Sequence, residues 1–136
     1  VVPEHSIISI IEDDVSVREA LGGLMKAFGF DAAVFSSAGE FLRSGRLDEM
    51  ACLVVDVQMP GIGGIELQSR LLALGCRIPI IFITAFPDAA TRTRAMQAGA
   101  VCFLAKPFGH AELLACIQAA LEGRATADGA RPSSTG

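Results

Sequence analysis

Short runs of apolar, mostly β-branched residues alternate along the chain with longer stretches whose apolar positions recur every three or four residues. Residues 6–11 (SIISII) predict a first strand. Residues 15–28 follow with Val17, Leu21, Leu24, Met25 and Phe28 at helical spacing, closed by Gly29. A weak second strand is predicted over 32–35, then a short helix over 37–44 with Ser36 or Ser37 as its N-cap. The continuous apolar run at 52–55 (CLVV) predicts a strand covered on both faces, ended by Asp56. The Pro- and Gly-rich MPGIGG stretch is a loop, and 65–74 is the next helix. A buried strand at 79–84 (PIIFIT), a helix from Pro87 and Asp88 to about Ala98, a strand at 101–105 and a helix at 110–122 complete the series. From Gly123 onward the chain is small and polar, which predicts a flexible tail or the start of a linker over 124–136 after a domain spanning 1–123.

Strands alternating with helices imply parallel βα units with right-handed crossovers and helices on both faces of one sheet. Composition fits a single domain of this kind. The chain has 136 residues, 51% hydrophobic and 19% charged, with a mean hydropathy of +0.50, too apolar for intrinsic disorder. No uncharged apolar stretch reaches the roughly 18 residues of a membrane span, and no export signal is visible. Eleven basic against fifteen acidic residues argue against nucleic-acid binding by this domain itself. Cys52, Cys76, Cys102 and Cys116 show neither CxxC nor zinc-ligand spacing, and read as reduced structural residues of a cytoplasmic protein.

In open parallel sheets ligands bind beyond the carboxyl ends of the strands. The polar residues there are Glu12, Asp13 and Asp14 after the first strand, Asp56 after the third, Thr84 at the end of the fourth and Lys106 after the fifth. Clustered carboxylates repel unless a cation sits among them, and an all-oxygen donor set suits a hard ion such as Mg²⁺. Lys106 offers an ammonium and Thr84 a hydroxyl, so a phosphoryl group fits this setting. Asp56, on a rigid strand beside a Gly/Pro loop, is the candidate nucleophile, since a carboxylate can attack phosphorus to give an aspartyl phosphate. Asp13 and Asp14 read as metal binders, and Glu12 only as a residue that shapes the local field.

With Asp13-Asp14, DVQMPGIGG around Asp56, ITA at 83–85 and KPF at 106–108 in this order, the chain resembles the receiver domain of two-component response regulators, the CheY-like superfamily, over about 7–121. The resemblance implies a flavodoxin-like, doubly wound α/β domain with a five-stranded parallel sheet in the order 2-1-3-4-5. It implies that Asp56 accepts a phosphoryl group from a sensor histidine kinase, a phosphotransfer protein or a small donor such as acetyl phosphate. Asp14 then corresponds to the direct Mg²⁺ ligand, Asp13 to a companion acting through water, and Gln58 to the residue lending its backbone carbonyl. Thr84 corresponds to the switch hydroxyl, Lys106 to the lysine that pairs with phosphoryl oxygens, and Phe103 to the aromatic switch position. Pro107 corresponds to a proline that commonly follows a cis peptide.

The ELQ and MQAGAVCFLAKPF stretches resemble receivers of nitrogen-fixation-type regulators, whereas Phe86-Pro87-Asp88 departs from the Gly-rich loop of that group. The expected output is a change in the face built by the fourth helix, fifth strand and fifth helix, acting on a partner, on a homodimer formed on phosphorylation, or on an output domain. No membrane partner is implied, and the chain reads as a switch rather than an enzyme. Two alternatives compete with this reading. One is an unphosphorylated interaction module on the same fold. The other is a Mg²⁺-dependent phosphohydrolase, which would need a general acid where Gln58 stands.

Overall fold

The computed structural model describes residues 6–129. Five parallel strands form one sheet: β1 (Ile7–Ile11), β2 (Asp31–Phe35), β3 (Met50–Asp56), β4 (Ile80–Thr84) and β5 (Cys102–Ala105). Their order is β2-β1-β3-β4-β5, as the resemblance implied. The connecting helices are α1 (Val15–Ala27), α2 (Ala38–Arg43), α3 (Gly64–Ala73), α4 (Ala89–Gln97) and α5 (His110–Gly129), with a 3-10 turn at Leu47–Glu49 before β3.

Strand alternation divides the core into two layers. Ile8 and Ile10, Cys52 and Val54, and Ile81 and Ile83 pack against Leu21 and Met25 of α1 and Leu113 and Ile117 of α5. The intervening Ile11, Leu53, Val55, Ile80 and Phe82 pack against Phe41 of α2, Leu67 and Leu71 of α3 and Ala95 of α4. Because the central strands are covered on both faces, they read as unbroken apolar runs. Their carboxyl ends, which carry Glu12, Asp56 and Thr84, are thereby brought side by side.

Local chemistry accounts for the helix starts. Ser37 Oγ accepts the N–H of Glu40 at 3.0 Å, and Asp88 Oδ2 accepts the N–H of Thr91 at 2.9 Å, so each caps the helix that follows it. Gly64 starts α3 at a close approach: a Cβ there would lie 2.8 Å from the carbonyl oxygen of Asp56, so any other residue must push backbone aside.

Three expectations need correction or qualification. α5 continues past its predicted end at 122 to Gly129; residues 130–136, the rest of the expected tail, lie outside the described residues. Cys102 and Cys116 form a disulfide rather than two thiols, because the start of β5 faces the middle of α5 with 6.2 Å between the Cα atoms; Cys52 and Cys76 take no part in a disulfide. β3 begins at Met50, two residues early, where the 3-10 turn delivers the chain to pair with Ile7. Among the described residues no helix is long and apolar enough to cross a membrane.

Candidate functional site

The end of β1 decides which acidic residues can act together. Glu12 follows Ile8 and Ile10 on the α1/α5 face of the sheet, and it is 1% exposed. Its Oε2 accepts the N–H of Asp14 at 3.1 Å, which folds the loop back over it. Asp14 is the N-cap of α1, its Oδ1 accepting the N–H of Val17 at 3.0 Å. That carboxylate is committed to the helix and stands exposed. Among the described residues, the carboxylates that can share one ion are Glu12, Asp13 and Asp56, one oxygen from each lying within 4.8 Å of the others. Asp14, expected at the metal, is therefore not one of the converging carboxylates, and Glu12, read as a bystander, is. Arg18, which sequence reasoning passed over, braces the loop: its Nη1 donates to the carbonyls of Glu12 at 2.8 Å and Asp13 at 3.3 Å.

Across the sheet, Asp56 and Lys106 arrive on the same face as Glu12, two residues beyond Val54 and Leu104. Lys106 Nζ donates to Glu12 Oε1 at 3.0 Å and to Asp56 Oδ2 at 3.3 Å. The other oxygen of Asp56, Oδ1, accepts the main-chain N–H of Gln58 at 3.1 Å. Thr84 is fully buried at the end of β4. Its hydroxyl accepts the N–H of Phe86 at 3.0 Å and donates to Oε1 of Gln58 at 2.8 Å. Phe103 is half-buried, its ring centroid 6.4 Å from that of Phe82, on the α3/α4 side. The Lys106–Pro107 peptide is cis, as the resemblance implied.

The electrostatics follow from burial and pairing. Burial holds the Glu12 carboxyl above its ordinary value; hydrogen bonds from Asp14 and Lys106 oppose this, and the neighbouring charge of Asp56 adds to it. Burial disfavours the Lys106 ammonium, yet its hydrogen bond to Glu12 and the charges of Asp56 and Glu12 outweigh that and hold it above its ordinary value. The site is thus one of excess negative charge, with one ammonium between two buried carboxylates. Donors of oxygen alone, clustered at this density, fit a hard divalent cation such as Mg²⁺.

Residues 8–118 match the family described as the response regulator receiver domain. The chain belongs to that family. Receiver domains act generally as phosphorylation switches within two-component response regulators. Nodulation protein W of Bradyrhizobium diazoefficiens is 44% identical over 117 residues, 86% of this chain and 52% of that protein. The transcriptional regulatory protein FixJ of Azorhizobium caulinodans is 39% identical over 127 residues, 93% of this receiver and 60% of that protein. The solved response regulator StyR superposes with a TM-score of 0.86 at 43% identity, covering 93% of this chain and 64% of that one. The receiver spans about half the length of the first of these curated relatives.

Proposed function

We propose that this receiver domain is a phosphoacceptor switch in which Asp56 takes a phosphoryl group from a phosphohistidine of a sensor kinase or phosphotransfer protein. The observation that carries the reading is Asp56 itself, buried, with Oδ2 held by Lys106 and Oδ1 by the Gln58 N–H, so that its carboxylate is fixed in direction. An Asp56 oxygen attacks phosphorus, a new P–O bond forms as the P–N bond of the donor breaks, and the departing imidazole keeps the electron pair. The product is an acyl phosphate.

Asp13 and Asp56 are the residues to hold Mg²⁺, with Glu12 beside them and the Gln58 carbonyl, by the family resemblance, as a further ligand. When bound, the ion supplies neutralisation of phosphoryl charge. Lys106 is within reach of two carboxylates and is placed to transfer its ammonium to a phosphoryl oxygen. Thr84 supplies a hydroxyl donor to a second oxygen, and its movement opens space for Phe103 on the face formed by α4, β5 and α5. Phosphorylation adds about 1.5 to 2 negative charges and three acceptor oxygens at one point, which biases a two-state element. Homodimer formation or the docking of an output domain on that face, in the cytoplasm, is the readout that fits relatives named as transcriptional regulators.

Treatment with acetyl phosphate and Mg²⁺, followed by intact mass measurement, tests this. The natural sequence should gain one phosphoryl group and Asp56→Asn none. Persistent labelling of the variant removes Asp56 as the acceptor.

A further inference from the structure

Gln58 is joined to both halves of the proposed switch. Its main-chain N–H binds Asp56 Oδ1 at 3.1 Å, while its side-chain carbonyl accepts the Thr84 hydroxyl at 2.8 Å. A threonine hydroxyl has a single proton. Here that proton is already committed to Gln58, and a lone pair of the same oxygen is committed to the N–H of Phe86. Thr84 is fully buried, whereas Gln58 is exposed. The exposed glutamine thus closes over a hydroxyl that water does not reach.

We infer that Gln58 is a positioning residue that latches Thr84 in the resting state, so that its side-chain carbonyl and a phosphoryl oxygen compete for one proton. The inference rests on the reading of Asp56 as the phosphoacceptor and deepens it by naming what the incoming group must displace. Thr84 cannot donate to a phosphoryl oxygen on Asp56 until its bond to Gln58 breaks, so part of the binding free energy of the phosphoryl group goes into opening the latch. The link to Asp56 through the Gln58 N–H means that a change at the acceptor carboxylate is felt directly by the residue that holds the latch shut. The strength of this one hydrogen bond therefore sets part of the balance between resting and switched states.

The test uses Gln58→Met, which keeps the backbone N–H and carbonyl and a side chain of similar length but removes the acceptor. The probe is beryllofluoride with Mg²⁺, a phosphoryl mimic, titrated against the full chain by NMR. Losing one net hydrogen bond from the resting state should tighten beryllofluoride binding about three- to ten-fold. In the unliganded protein, amide exchange at Phe86 should speed up by a similar factor, because the oxygen it binds is no longer held. Both effects should vanish in a Thr84→Val background, with Thr84→Ala as the second such variant should the first fold poorly; a merely structural role for Gln58 would survive there. Unchanged or weaker binding with unchanged Phe86 exchange overturns the latch, as does an equal effect with and without the Thr84 hydroxyl. Failure of the natural sequence to bind beryllofluoride overturns the phosphoacceptor reading instead, and Phe86 exchange then still decides the latch.

Discussion

At the carboxyl ends of the strands, Lys106 lies 3.0 Å from Glu12 and 3.3 Å from Asp56, and a buried hydroxyl completes a polar network. At the amino ends the same sheet opens onto a groove of about 530 Å³ lined chiefly by apolar groups, Leu71, Ile78, Pro79, Ile80, Val101 and Ala120 among them. One end concentrates like charge that folding must tolerate, and the other buries hydrocarbon that folding rewards. Chemistry and stability are therefore expected to separate along the strand axis, and substitutions at the two ends should fail in different assays.

The largest effect is expected at the acidic end. Asp13→Asn should weaken the Mg²⁺ dependence of acetyl phosphate labelling by more than about 100-fold, beyond the 10–100-fold typical of groups one shell further out. Asp14→Ala should leave labelling nearly intact and cost about 0.5–2 kcal/mol of stability, the value of an N-cap. Rates of labelling together with urea unfolding separate the two. At the apolar end, Leu71→Ala removes a side chain that is 1% exposed and should cost about 2–5 kcal/mol in urea unfolding, while the Mg²⁺ dependence of labelling stays as it was. Gly64→Ala joins the two behaviours. A methyl group forced to 2.8 Å from the Asp56 carbonyl must push backbone, so a loss of about 1–3 kcal/mol should come with slower labelling.

The smallest effect lies away from both ends. The Ser36 backbone N–H, and then its hydroxyl, hold the Glu40 carboxyl below its ordinary value of 4.5. A carboxylate with a lowered folded-state pKa stabilises above its unfolded value and loses that contribution as pH falls. Glu40→Gln should thus be slightly less stable at neutral pH, by well under about 1 kcal/mol for so exposed a group, and the gap should close below about pH 4.5. Thermal unfolding of both proteins across that range measures it.

The central strands were legible because each is a short, mostly apolar run that ends in a polar residue, Glu12, Asp56 or Thr84, whereas their order was implied by the family resemblance. Ser37, offered beside Ser36 as the cap of α2, and Asp88, placed at the opening of α4, were within reach for a local reason: each side chain binds the backbone three residues on. The acidic loop was harder. Three adjacent carboxylates look equivalent in sequence, and only alternation distinguishes them: Glu12 continues the Ile8 and Ile10 face, whereas Asp14 sits just before α1 and is taken as its cap. That rule was available from the residues and points to the arrangement found. The bracing by Arg18, the Gln58–Thr84 bond and the Cys102–Cys116 pairing were not available. Each joins side chains through distances that no local pattern encodes.

The most direct measurement is to locate the phosphoryl mark itself. The labelled protein is reduced with borohydride, which converts an aspartyl phosphate to homoserine, and the peptides are sequenced by mass spectrometry. The account predicts homoserine at position 56, formed only with Mg²⁺ present and in far lower yield from Asp13→Asn. Conversion at Glu12, Asp13 or any residue other than Asp56, or labelling indifferent to Mg²⁺, would contradict it.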